Sequence, residues 1–126
     1  MNLNQITLPS RNIKESREFY LTLGLKLIVE NSEYLRFECP EGNSTFSVYL
    51  ELEKFGNAAV VYFEHKELDS LVEQLIGKGI EFRSMPEDTS YLWREAILDD
   101  PSGNEIRLYW AGENRLNPPW RILDRT

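Results

Sequence analysis

The 126-residue chain sets 21 acidic side chains against 14 basic ones, a formal net charge of −7 with a pI near 4.8, and it holds one histidine and one cysteine. That balance excludes the basic face that a phosphate-binding surface needs, so no nucleic acid is expected as a partner, and a lone Cys39 excludes an internal disulfide. No apolar run approaches the roughly 18 residues of a membrane span, and residues 1–10 lack the basic flank and apolar core of a signal peptide. The expected setting is cytoplasmic, with no membrane association.

Residues 3–8 alternate apolar and polar, which suits a strand. Asn12-Ile13-Lys14-Glu15 then forms a capping-box pattern. Ile13, Ser16, Phe19, Tyr20 and Leu23 recur at helical spacing, and Gly24 marks the stop. Strand-like runs follow at 25–30, 34–38 and 46–52, separated by polar clusters, the second being Pro40-Glu41-Gly42-Asn43-Ser44.

The order then repeats. Residues 58–64 read as a buried strand, and Leu68, Leu71, Val72, Leu75 and Ile76 make the clearest helical stripe in the chain, ended by Gly77 and Gly79. Strand-like runs come at 80–84, 91–98 and 105–110, with the turn Asp99-Asp100-Pro101-Ser102-Gly103-Asn104 before the last. Gly42-Asn43 and Gly103-Asn104 are read simply as turns.

Strand, helix and three strands thus occur twice, with a seam near Phe55-Gly56-Asn57. The expectation is a single α+β domain over residues 1–126: module one at about 1–55, module two at about 57–110, and a C-terminal arm at 111–126. Layer packing makes each module a sheet with a helix on one face, and pairing two gives a curved mixed sheet around a central cavity with helices outside. Whether modules pair within one chain or by exchange across a dimer is open. Around Pro118-Pro119-Trp120-Arg121-Ile122 the arm should run extended. Trp120 and Ile122 call for an apolar surface on the domain or a neighbour, and Trp120 could also serve a lid over the cavity mouth.

Two stretches resemble a known superfamily. Asn4-Gln5-Ile6-Thr7-Leu8, Ser16-Arg17-Glu18-Phe19-Tyr20 and Leu23-Gly24-Leu25 are similar to the opening of glyoxalase/bleomycin-resistance/extradiol-dioxygenase (vicinal oxygen chelate) proteins. Asp100-Pro101-Ser102-Gly103-Asn104, with the strand after it, is close to that family's DPxGN turn and last strand. The resemblance covers about residues 1–110, and residues 113–122 also look like the tail of some members. It implies paired βαβββ modules, a homodimer, and sites inside the curved sheet. Active members hold a divalent metal there through His, Gln and Glu, as a Lewis acid on two neighbouring substrate oxygens.

Carried over residue by residue, the first-strand ligand position falls on Gln5, a weak donor for a hard cation. The position opening the second half falls on Val60, which has no donor, and the last-strand carboxylate falls on Arg107, a permanent cation. Tyr49 and Glu51 are the fourth-strand candidates, so Gln5 and Glu51 are the weak metal ligands that remain. No cofactor is expected, a divalent metal being required only on an enzyme reading.

Arg107 in place of a carboxylate either anchors an anionic ligand or pairs with a carboxylate such as Glu95. By strand alternation Thr7 shares a face with Gln5, Tyr62 with Val60, Tyr109 with Arg107, and Trp93 with Glu95. Which face of the seventh strand lines the cavity is not decided by alternation. His65 reads first as a surface or helix-start histidine, and otherwise as a ligand or general base. The leading functional expectation is a metal-free small-molecule-binding member, sequestering an anionic or aromatic compound. The alternatives are a divergent metal-dependent lyase or dioxygenase, and a structural or interaction dimer with a filled cavity.

Overall fold

The computed structural model describes residues 1–54 and 56–123. Phe55 of the expected seam, and residues 124–126 of the arm, lie outside them. The element order is β1 (Gln5–Ser10), α1 (Ile13–Leu23), β2 (Lys26–Glu30), β3 (Tyr34–Glu38), β4 (Thr45–Leu50), β5 (Val60–Glu64), α2 (Leu68–Gly77), β6 (Ser84–Asp88), β7 (Arg94–Asp99) and β8 (Glu105–Trp110). A short 3₁₀ turn, Gly112–Arg115, follows. The chain is therefore βαβββ twice over, in two four-stranded sheets ordered β1-β4-β3-β2 and β5-β8-β7-β6. In the first, β1 runs parallel to β4 and the remaining pairs are antiparallel. The fold class is α+β, as expected. No described helix is long and apolar enough to cross a membrane.

The chain divides into two compact units, Met1–Val60 with Asp99–Glu105, and Val61–Leu98 with Ile106–Thr126. In the first, α1 begins where expected: Asn12 lies in extended backbone and its side chain accepts from the Glu15 amide at 3.0 Å. Gly24 ends the helix in the left-handed region at φ 106°, where a Cβ would be strained. Tyr20 is fully buried between Phe37 and Phe46, with centroids 5.7 and 4.6 Å away. Leu8, Leu35 and Val48 complete that aromatic core.

The turn Asp100–Asn104 is more than the simple turn the sequence suggested. Asp100 is buried and takes hydrogen bonds from Tyr20 Oη at 2.6 Å, the Ser102 and Asn104 amides at 2.9 Å, and Asn104 Nδ2 at 2.8 Å. Asn104 also donates to the Pro9 carbonyl at 2.8 Å and accepts from Asn57 Nδ2 at 2.9 Å. Ser102 Oγ accepts from the Arg11 amide. A turn late in sequence thereby ties off the first unit, and burial makes each of those polar groups need its partner.

In the second unit α2 buries Leu68, Val72 and Leu75, with Leu71 half-buried, while Ile76 is left exposed, so the stripe is narrower than its spacing suggests. Ala96, Leu98, Ile106 and Leu108 complete an aliphatic core.

Two strands sit later in sequence than their apolar runs. β1 extends through Pro9, and β6 occupies Ser84–Asp88 rather than 80–84, including Pro86. Both are edge strands, where a residue without an N–H costs no ladder bond, and the β6–β7 register shifts around Pro86. β7 begins three residues later than its apolar run because Thr89–Trp93 forms a turn closed by the Thr89 amide on the Trp93 carbonyl, with Leu92 at φ 67°.

Candidate functional site

Each sheet has one face packed against its helix, and the candidate residues fall on the opposite faces. In the first unit, pairing aligns Gln5 with Thr45 and Thr7 with Ser47, while Arg36 lies across from Ser47 and Tyr34 across from Tyr49. Gln5 Nε2 reaches Thr7 Oγ1 and Ser47 Oγ at 3.0 Å, and its carbonyl accepts from Thr45 Oγ1. Ser47 Oγ, fully buried, shares a 2.6 Å bond with Tyr34 Oη, which also accepts from Arg36 Nε at 2.9 Å. Burial is the largest single effect and raises the Tyr34 phenol, but the hydrogen bonds with Ser47 and Arg36 and the Arg36 charge together outweigh it and hold the phenol below its ordinary value. Tyr49 is exposed on this face. The result is a hydrogen-bonded polar surface, and of its members Tyr34, Arg36 and Ser47 escaped the sequence reading. Alternation places Ser47 beside Tyr49, but nothing in the sequence says that β4 lies between β1 and β3.

In the second unit the same kind of face is aromatic. Trp93 stacks on Tyr109 at 4.7 Å and 22°, and Tyr62 stands edge-on to both at 87°, with centroids 5.6 and 5.4 Å away. Tyr91 meets Trp93 edge-on at 5.9 Å. Arg107 Nη1 donates to Glu95 Oε1 at 2.8 Å, and its guanidinium lies 5.7 Å from the Tyr62 centroid. Tyr91 Oη donates to the same Glu95 oxygen.

Further contacts show which face of the seventh strand is turned away from the helix. Arg94 faces α2, bonding Asp69 through Nε and Nη2 at 2.9 and 3.0 Å, so Trp93 and Glu95 lie on the face opposite the helix. Tyr62, Trp93, Glu95, Arg107 and Tyr109, named separately from alternation, thus form one cluster. Tyr91 was missed, although it stands two residues before Trp93 in the same alternation.

Glu95 is 5 % exposed, against 23 % for the Arg107 side chain. Burial at that level makes the pair sensitive to loss of either member, since the survivor keeps its desolvation cost. Burial also pushes the Tyr91 and Tyr109 phenols up, with the Glu95 and Glu64 carboxylates adding to it respectively.

The expected ligand positions do not assemble a metal site of the family's kind. Val60 offers no donor, and Arg107 is a cation bonded to Glu95. The Gln5 amide is engaged by Thr45 and Ser47. Glu51 lies past the far end of β4, six residues from the Gln5 partner Thr45, or about 20 Å along the strand. There its carboxylate caps the Glu53 and Lys54 amides at 3.0 and 2.9 Å. Gln5 and Glu51 therefore do not share a site within one chain. Among the described residues no group of three His, Cys, Asp or Glu could hold a metal ion.

His65 has the helix-start role: its Nδ1 accepts from the Glu67 amide at 3.0 Å, just before α2. Trp120 and Ile122 are 57 % and 83 % exposed, so of the two surfaces expected to cover them, the domain or a neighbour, the described residues of the domain do not do so. Locally the arm is held by Arg121, whose guanidinium bonds Asn117 Oδ1 at 2.6 Å and the Leu116 carbonyl at 3.1 Å.

With this geometry in view, comparison with known proteins gives a consistent answer. A glyoxalase/bleomycin resistance protein/dioxygenase from Nocardioides matches over 97 % of this chain and 89 % of its own, at 23 % identity and a TM-score of 0.76. A member of the same superfamily from Sphaerobacter thermophilus DSM 20745 matches over 87 % and 97 %, at 18 % identity and 0.74. A bleomycin-binding protein complexed with bleomycin matches over 89 % and 99 %, also at 18 % and 0.74. Similarity at this level of identity speaks for the fold alone. No curated protein matches the sequence. The family model of the Glyoxalase/Bleomycin resistance protein/Dioxygenase superfamily covers residues 2–108, and the chain belongs to that family.

Proposed function

We propose that this protein is a metal-free, small-molecule-binding member of its superfamily, and that the ligand is held on the aromatic face of the second module. The observation that carries this reading is the cluster of Tyr62, Trp93 and Tyr109 around the Glu95–Arg107 pair. Stacked and edge-on rings with a few polar groups are what binding sites for flat organic molecules present. At the position where the family's metal-ligating carboxylate would stand, this chain has Arg107, and its partner Glu95 is already bonded. The bleomycin-binding neighbour shows that this fold can serve a binding role. We further propose a cytoplasmic homodimer, in which Trp120 and Ile122 find their apolar cover on the second copy.

The test has two parts. Mass spectrometry on untagged protein purified without chelator should find no stoichiometric transition metal, and none taken up on addition. Titration with flat aromatic compounds should raise the melting temperature, because a ligand of the native state must stabilise it. A bound stoichiometric metal, or no shift with any aromatic compound, overturns the reading. Sedimentation at several concentrations checks the dimer.

A further inference from the structure

The buried carboxylate of Glu95 is satisfied on one side only. Oε1 takes hydrogen bonds from Arg107 and Tyr91, whereas Oε2 is buried and has no hydrogen-bond partner among the described residues. Buried polar atoms are nearly always paired, so an orphan acceptor in an otherwise bonded cluster calls for a reason. The side chain belongs to the face formed by Trp93, Tyr109 and Tyr62. With the Arg107 charge set against Glu95, the polar group left unsatisfied in the cluster is an acceptor, and a ligand that completes it brings a donor.

We infer that Glu95 Oε2 is a specificity-determining acceptor, and that the ligand class is a flat aromatic molecule presenting an N–H group, not an aromatic acid. The inference rests on the binding reading above and reverses the anionic preference that Arg107 suggests in sequence. A carboxylate or phosphate ligand would have to share the Arg107 guanidinium with Glu95 and set a second negative charge beside its buried carboxylate. An N–H donor at Oε2 leaves that pair intact and adds a charge-assisted hydrogen bond.

A matched set of ligands tests this on the intact protein: indole, 1-methylindole, indole-3-acetate and naphthalene, followed by ¹H–¹⁵N NMR titration. Indole should bind about ten-fold more tightly than 1-methylindole, the ratio expected for one hydrogen bond to a charged acceptor. Indole-3-acetate should be the weakest. In Glu95→Gln, with folding checked by circular dichroism, the indole preference should vanish while naphthalene binding persists. In Arg107→Met indole binding should be kept or strengthened.

Equal affinity for indole and 1-methylindole in the wild type, with both lost in Trp93→Ala, overturns the inference and leaves the binding reading standing. Indole-3-acetate binding most tightly, and losing affinity in Arg107→Met, does the same. Absence of binding by all four removes the binding reading and this inference together. The wild-type comparison decides the matter even if Glu95→Gln fails to fold.

Discussion

The two modules share one topology and distribute their side chains in opposite ways. Module one packs aromatic rings under its helix, with Tyr20 between Phe37 and Phe46, and presents a polar hydrogen-bonded network on its other face. Module two packs aliphatic groups under its helix, from Val72 and Leu75 to Ile106 and Leu108, and presents rings and an ion pair on its other face. A sheet with a helix needs one apolar face to fold. Which face carries the aromatics is therefore free to vary, and rings not needed for the core are left on the open face. The same comparison places the most demanding buried polar network in the first compact unit, where Asp100 of module two meets Tyr20 of module one, and the proposed binding face in the second.

The largest effect that could break this asymmetry is at Asp100. Asp100→Ala strands the Tyr20 hydroxyl, two backbone amides and the Asn104 amide, and should lower unfolding free energy by about 4 kcal/mol or more. Glu95→Ala in module two, with its pair partly solvated, should cost about 2 kcal/mol. Urea denaturation of both variants checks the order; equal losses would mean that the two networks matter alike.

Alkaline pH should act through Tyr20, the hydrogen-bond partner of Asp100. Burial, with the Asp100 charge and hydrogen bond behind it, holds the Tyr20 phenol far above its ordinary value. The unfolded chain ionises near pH 10 while the folded one keeps its proton. Stability is therefore complete below about pH 10 and falls above it by about 1.4 kcal/mol per pH unit for this group. Tyr91 and Tyr109 act in the same direction more weakly. Urea midpoints measured from pH 8 to 11 should show the decline, and Tyr20→Phe should remove most of its slope at the cost of one hydrogen bond at neutral pH.

Smaller effects sharpen the description of module two. Trp93→Ala loses stacking on Tyr109 and edge contacts with Tyr62 and Tyr91 and should cost about 2 kcal/mol, because the indole is only half-buried. A double-mutant cycle between Glu95→Gln and Arg107→Met should return a coupling of about 1–2 kcal/mol. The smallest effect is spectroscopic: in an ultraviolet titration the signal lost in Tyr34→Phe should ionise below the ordinary phenol range, and that lost in Tyr91→Phe above it. Coincident titrations would remove the electrostatic contrast between the two open faces.

Much of this was legible in the residues. The cap at Asn12, the stop at Gly24 and strands β3 and β8 fell where local chemistry put them, because a cap, a left-handed glycine and an alternating run act over a few residues. β1 and β6 run on through Pro9 and Pro86 because proline is tolerated on sheet edges, and edge position is a property of the sheet. Alternation correctly grouped Arg107 with Tyr109 and Trp93 with Glu95. It did not join the two groups, nor did it bring in Tyr34, Arg36 and Ser47, because strand neighbours far apart in sequence are chosen by the packing of the whole sheet. The role of Asn104 was missed for the same reason: its partners Pro9 and Asn57 are 95 and 47 residues away.

By itself, then, the sequence determined the duplicated βαβββ order and the family, since each depends on residue type and short-range spacing. Only the tertiary structure decided that Arg107 spends a hydrogen bond on Glu95, that Trp93 and Tyr109 stack beside that pair, and that Glu95 Oε2 is left without a partner. Hydrogen bonds and ring contacts depend on distances of a few ångströms between residues that the chain brings together only when its sheets form.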